Sequence, residues 1–216
     1  EKQKEKNNLI APVSFAGAVA PLAQCQKLAS ENNFILVEDA SHSPGASTPD
    51  EQEGTISSCS GIHALASTLS FHPVKHICAG EGGAVLTNDL HVAQKALRLR
   101  SHGINRPFTE TDDMPWYYEQ ESLGWNYRLT DLQATLGLSQ LSRLDDFLAK
   151  RRKLARRYDQ RLRESPFQEH INCPPFERGH AWHLYIIRFK DESLRNLAYK
   201  YLKSKNILTQ VHYIPV

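Results

Sequence analysis

Long apolar runs, a charge imbalance and paired cysteines are all missing from this 216-residue sequence. No uninterrupted apolar stretch approaches the roughly 18 residues of a membrane span, so no spanning helix is expected. The formal net charge is only +2, which argues against nucleic acid or an anionic membrane as the main partner. The four cysteines, Cys25, Cys59, Cys78 and Cys173, form no CxxC pair and match no zinc spacing. They are too sparse for a disulfide scaffold, so a reducing cytoplasm is expected. The opening EKQKEKNN leads into no signal-peptide core, and neither a repeat nor a low-complexity segment follows. What remains is ordinary: 40% hydrophobic and 23% charged residues, with ample length for a sizeable core.

The apolar pattern predicts an α/β chain. Residues 1–8 are polar and read as frayed or as a connection. Leu9 to Phe15 reads as a short buried strand, Ala18 to Asn32 as a helix, and Phe34 to Val37 as a second strand running into Glu38 and Asp39. Strand, helix and strand in about thirty residues make a βαβ unit with parallel strands in a covered sheet. Residues 43–61 read as a loop, Leu65 to Phe71 and Ala84 to Thr87 as strands, Leu90 to Ser101 as a helix, and 103–124 as irregular, with Pro107, Pro115 and the aromatics 116–118. Thr130 and Gln133 form a capping box that opens one long helix over 130–163. Residues 181–189 then read as a strand, 192–205 as a helix and 208–214 as the start of another strand. The expected divisions are part of a large domain at 1–129, a connecting helix at 130–164 and the start of a small domain at 165–216.

Two stretches carry chemistry. In Ser70-Phe71-His72-Pro73-Val74-Lys75, followed by Gly80-Glu81-Gly82-Gly83, a lysine is fixed among turn residues. Such an amine can bond covalently to an aldehyde cofactor if it can lose a proton; alone, the stretch reads more readily as a surface lysine beside a tight turn. In Glu38-Asp39-Ala40-Ser41-His42, an acid ends a buried strand, where α/β sheets bind their ligands. A carboxylate there can pair with a protonated pyridine nitrogen; alone, it reads more readily as a loop or capping acid. Lys150 to Arg163 is rich in basic residues, but its interleaved Leu154, Tyr158 and Leu162 fit the solvated face of a helix rather than a nucleic-acid patch. His72, His76 and His102 lack the further ligands that a metal would need, and no metal is expected.

Taken in order, VEDASHSPGA (37–46), SFHPVK (70–75), GEGGAVLTND (80–89), RSHGI (100–104), GWNYRLTDLQATLGLSQL (124–141) and QVHYIPV (210–216) resemble the DegT/DnrJ/EryC1/StrS sugar aminotransferases. The resemblance runs from Leu9 to Val216 and implies the type I aminotransferase fold, with a mostly parallel sheet, truncated at both ends. It implies pyridoxal 5'-phosphate as cofactor, held by Lys75, with Asp39 on the pyridine nitrogen, His42 beside the ring and Ser70 on the phosphate. Asn126 would reach the phosphate from the second subunit of a homodimer with a shared active site, and His212 and Tyr213 would lie near the sugar nucleotide. Within the family, SFHPVK, PWYYEQ (115–120) and GLSQLSRLDDF (137–147) are similar to the transaminases of pseudaminic acid biosynthesis. This implies transfer of an amino group from glutamate to a UDP-linked 4-keto-6-deoxy N-acetyl sugar. Departures stand beside the likeness: Leu65 and Leu69 replace a polar residue and a phenylalanine, and the family's glycine-hydroxyl turn for the phosphate has no counterpart here. Two alternatives follow, a non-catalytic remnant of the family and a basic nucleic-acid-binding module.

Overall fold

The computed structural model describes residues 8–50, 54–106 and 112–214. The first strand, β1 (Asn8–Ile10), leads through helix α1 (Leu22–Glu31) to β2 (Phe34–Asp39), and the two strands pair in parallel with Leu9 opposite Ile35. This is the expected βαβ unit. Asn33 makes the turn between α1 and β2 at a φ of 55°, a conformation that asparagine tolerates better than most residues. Helix α1 covers one sheet face by packing Ala29 against Leu36 and Ala64. The first strand ends earlier than the apolar run suggests. Pro12 has no N–H to give, and the chain tightens into a 3-10 turn at Phe15–Gly17. Two bonds still tie it to β2: the Asp39 amide donates to Pro12 O at 2.9 Å, and the Ser14 amide donates to Asp39 O at 2.9 Å.

A hairpin of β3 (Ser47–Asp50) and β4 (Gly54–Ser57) replaces the loop expected over 43–61. Thr48, Thr55 and Ile56 are good strand formers, and Ile56 is buried with Ala20 and Leu22. Next, β5 (Ala66–Ser70) joins β2 in parallel, with Val37 opposite Ala66, and β6 (Gly83–Leu86) returns antiparallel to β5. The sheet order is therefore β1-β2-β5-β6. Helix α2 (Leu90–Arg100) begins where the Asp89 carboxylate accepts the Val92 amide at 2.9 Å. Two short strands, β7 (Ile104–Asn105) and β8 (Glu119–Gln120), pair within the stretch expected to be irregular, while Pro107 lies outside the described residues.

The single helix expected over 130–163 is two helices, α3 (Asp131–Leu141) and α4 (Leu144–Arg163). The capping box of Thr130 and Gln133 opens the first. The break has a local cause: Ser142 Oγ and Arg143 Nε both donate to Ser139 O, at 3.0 and 3.1 Å, capturing a carbonyl that a continuous helix would use. Asp145 and Asp146 then sit in the first turn of α4, where the helix dipole favours negative charge. Beyond it come β9 (Ile171–Asn172), β10 (Arg188–Phe189) and α5 (Glu192–Ser204). Of the strand expected over 181–189, only Arg188–Phe189 pairs, against Ile171–Asn172. Residues 208–214 form no strand, and Pro215 and Val216 lie outside the described residues. Among the described residues, no helix is long and apolar enough to cross a membrane, and no group of three or more His, Cys, Asp or Glu could hold a metal ion.

Candidate functional site

The parallel strands deliver their carboxyl ends to one place, the usual ligand crevice of α/β sheets. Alternation along β2 sends neighbouring side chains to opposite faces. Glu38 turns to the face of Leu36 and is 1% exposed, while Asp39 turns to the other face and stays half-buried. The Glu38 carboxylate is enclosed by four donors: Ser14 Oγ at 2.7 Å, Ser58 Oγ at 2.6 Å, Ser67 Oγ at 2.9 Å and the Cys59 amide at 2.9 Å. It thus ties together the turn after β1, the end of β4 and strand β5. Asp39 Oδ1 accepts the Ser41 amide at 3.0 Å, and its Oδ2 accepts no hydrogen bond among the described residues.

After β5 the chain closes a loop on itself. The Phe71 amide donates to Gly82 O at 2.8 Å, and the Ala79 amide returns to Phe71 O at 2.9 Å. Gly83 has to be a glycine, because a Cβ there would lie 2.5 Å from Leu69 O. Inside this loop the Lys75 amide donates to His72 O at 2.9 Å, a turn that follows Pro73. Burial pulls the Lys75 amine below the ordinary lysine pKa, and the Asp39 carboxylate partly opposes that shift. Burial likewise lowers His42, helped by the Lys75 charge and, less, by His212, while Asp39 opposes. The Ala16 amide donates to His42 Nδ1 at 3.3 Å, so a neutral His42 carries its hydrogen on Nε2. Phe15 links this group to the end of the described chain: its ring centroid is 5.6 Å from that of His42 and 6.0 Å from that of Tyr213.

Asp39, His42, Lys75, His212 and Tyr213 are therefore brought together. Ser70 closes β5 on the Lys75 side, and its Oγ accepts the His72 amide at 3.4 Å. Asn126 is exposed and bridged to Ser101 in the loop before α3, and no hydrogen bond ties it to Lys75 among the described residues. Around it Trp125 and Tyr127 stack at 5.4 Å, and both are more than half exposed.

Sequence reading missed Glu38, His76, His183 and Arg151. The Glu-Asp pair at the end of a strand held a signal, since alternation must bury one of the two. The other three depend on contacts across more than thirty residues and left no local trace. In the basic stretch of α4, Arg151 and Arg152 donate to backbone carbonyls of residues 180–183, and Arg156 lies 5.3 Å from the Phe176 ring, so part of this charge is used internally.

The sequence model of the DegT/DnrJ/EryC1/StrS aminotransferase family matches residues 2–216. A UDP-4-amino-4,6-dideoxy-N-acetyl-beta-L-altrosamine transaminase of Helicobacter pylori is 33% identical over 215 residues, spanning 98% of this chain and 53% of the relative. The solved structure of Helicobacter pylori PseC, an aminotransferase of pseudaminic acid biosynthesis, superposes with a TM-score of 0.82 at 32% identity, covering 96% of this chain and 53% of that one. Bacillus subtilis NtdA, solved with bound cofactor PMP, superposes with a TM-score of 0.76 at 26% identity, covering 95% and 43%. The chain spans about half the length of these relatives.

Proposed function

This chain belongs to the DegT/DnrJ/EryC1/StrS aminotransferase family, and from that premise we propose that it carries the lysine-bearing part of a pyridoxal-phosphate-dependent sugar aminotransferase. The observation that carries this reading is the gathering of Asp39, His42 and Lys75 at the carboxyl ends of β2 and β5, with the amine shifted toward its neutral form. The residues fit the cofactor by their chemistry. They offer an amine for the aldehyde, a carboxylate with one unbonded oxygen for the pyridine nitrogen, a neutral imidazole N–H beside the ring, and the Ser70 hydroxyl for a phosphate oxygen.

When bound, pyridoxal phosphate supplies an electron sink that makes exchange of an amino group for a keto group possible. Lys75 binds it covalently and holds or moves the proton at Nζ. Burial assists by favouring the neutral, accepting form of that nitrogen. Asp39 holds the proton on the pyridine nitrogen. His42 orients the ring through its Nε2 hydrogen, and Ser70 anchors the phosphate. Asn126, which is exposed, serves the site of a second subunit in a homodimer. His212 and Tyr213 border the side from which a sugar nucleotide approaches.

For the substrate we take a UDP-linked 4-keto-6-deoxy N-acetyl sugar, with glutamate as amino donor, feeding surface-glycan or pseudaminic acid synthesis. The name of the Helicobacter pylori relative supports this choice. Four unpaired cysteines agree with a cytoplasmic setting.

Incubation with pyridoxal phosphate, borohydride reduction and peptide mapping test the reading. The expected adduct is confined to Lys75 and lost in Lys75→Ala. Absence of an adduct, or labelling spread over surface lysines, would mean that this polypeptide holds no working cofactor site.

A further inference from the structure

Residues 180–184 have the composition of a strand and the conformation of something held by force. Trp182 sits at a φ of 50°, in the left-handed region that a bulky side chain normally avoids at a cost of about 1–2 kcal/mol. Four consecutive carbonyls of this segment each accept a side-chain donor from another element. Arg152 Nε reaches His180 O at 3.3 Å, and His76 Nε2 reaches Ala181 O at 2.9 Å. Arg151 Nη1 reaches Trp182 O at 3.1 Å and His183 O at 3.2 Å. On the other side, the Ala181 amide donates to Gly17 O at 2.8 Å and the Leu184 amide to Ala16 O at 3.1 Å. Gly17 makes that approach possible, since a Cβ there would lie 2.6 Å from the Trp182 nitrogen. Strain fixed from so many directions points to a side chain being placed on purpose.

That side chain is His183. Its ring centroid lies 4.4 Å from that of His42 and 5.3 Å from that of His76, and its residue is 9% exposed. Among the described residues its buried Nδ1 has no hydrogen-bond partner, and neither has Nδ1 of His76. His42 is thus met from two sides: the Ala16 amide donates to its Nδ1, and the His183 ring packs against it, tilted by 42°.

We infer that His183 is a positioning residue, whose ring holds His42 so that a neutral Nε2–H faces the Lys75 site. The inference rests on the aminotransferase reading for its purpose, though not for its geometry. His42 is faced by Lys75, Asp39, His212 and His183, and His183 is faced by His42, His76, Lys75 and Arg151. A site with this much positive charge favours neutral imidazoles, and a loosened His42 ring would gain water and its proton together.

The test is nitrogen-15 NMR of the histidine rings in the cofactor-free chain, with the His42 signals identified by their loss in His42→Gln. The wild-type ring is expected as a single Nε2–H tautomer titrating below the ordinary value. In His183→Ala the tautomers should mix and the titration move up toward the ordinary histidine value, because burial leads the shift. His183→Phe, which restores a ring without its nitrogens, should return both to wild type. If the alanine variant does not fold, His183→Gln is read in the same way. An unchanged tautomer and titration in the alanine or glutamine variant, or a phenylalanine variant that restores neither, would overturn the inference. Neither readout needs the cofactor, so a missing Lys75 adduct would fail the functional reading while leaving this result to stand on its own.

Discussion

Replacing Glu38 with alanine is expected to cost at least about 4 kcal/mol of stability, a large part of what a domain of this kind possesses. The side chain is 1% exposed and accepts four hydrogen bonds. Its removal leaves three hydroxyls and one amide buried around a void, and bonds to a charged acceptor are stronger than neutral ones. Glutamine should cost about half as much, for a reason that lies in the donors. Ser14 and Ser58 hydroxyls can turn and accept from a side-chain NH2. The Cys59 amide cannot, so the remaining oxygen must face Cys59 and Ser67. The order wild type, glutamine, alanine should appear in urea midpoints. An alanine variant within about 1 kcal/mol of wild type would mean that the carboxylate is not the tie described here.

Acid should unfold this protein early. His76, His180 and His183 are each less than one-tenth exposed, and burial pulls their pKa values from 6.5 to about 4, about 4 and about 3. The unfolded chain takes up protons at these sites near pH 6.5, whereas the folded chain resists until about pH 4 or below. Between those limits the unfolded state binds more protons, so stability is full above the window and falls as pH falls through it. Each proton is worth about 1.4 kcal/mol per pH unit, and three together give a slope near pH 5 of about 4 kcal/mol per unit. Urea midpoints at pH 7, 6 and 5 should fall steeply, and a flat series would show that these imidazoles become protonated in the folded state at ordinary cost.

Much of this architecture could be read along the chain, and what escaped shares a physical cause. The βαβ unit, the Lys75 loop and the capping box at Thr130 depend on neighbours within a few residues, so their periodicity and turn chemistry announce them. Residues 181–189 read as a strand because Ala-Trp-His-Leu-Tyr-Ile-Ile-Arg-Phe is rich in strand formers, yet only Arg188–Phe189 pairs. Arg151 and Arg152, some thirty residues earlier, take the carbonyls that a neighbouring strand would need. The break at Ser142 escaped because the leucine spacing continues across it, while the cause is a pair of side chains competing for Ser139 O. Asp39 was legible as the acid that ends an apolar run. Glu38 was passed over, although strand alternation required one of the pair to face the core.

The grip on residues 180–184 also sets a timescale. This stretch belongs to no helix or sheet, and such segments usually exchange their amide hydrogens within seconds. Here the amides of Ala181, Trp182 and Leu184 donate to Gly17 O, His180 Nδ1 and Ala16 O, while the carbonyls between them are held by His76 and by Arg151 of α4. The Ala181 and Leu184 hydrogens cannot leave singly, because freeing either means detaching the turn after β1, whereas the Trp182 hydrogen needs only the His180 ring to swing away. In deuterium exchange the Ala181 and Leu184 amides should be retained as long as those at the centre of β2, giving an irregular loop the lifetime of the core.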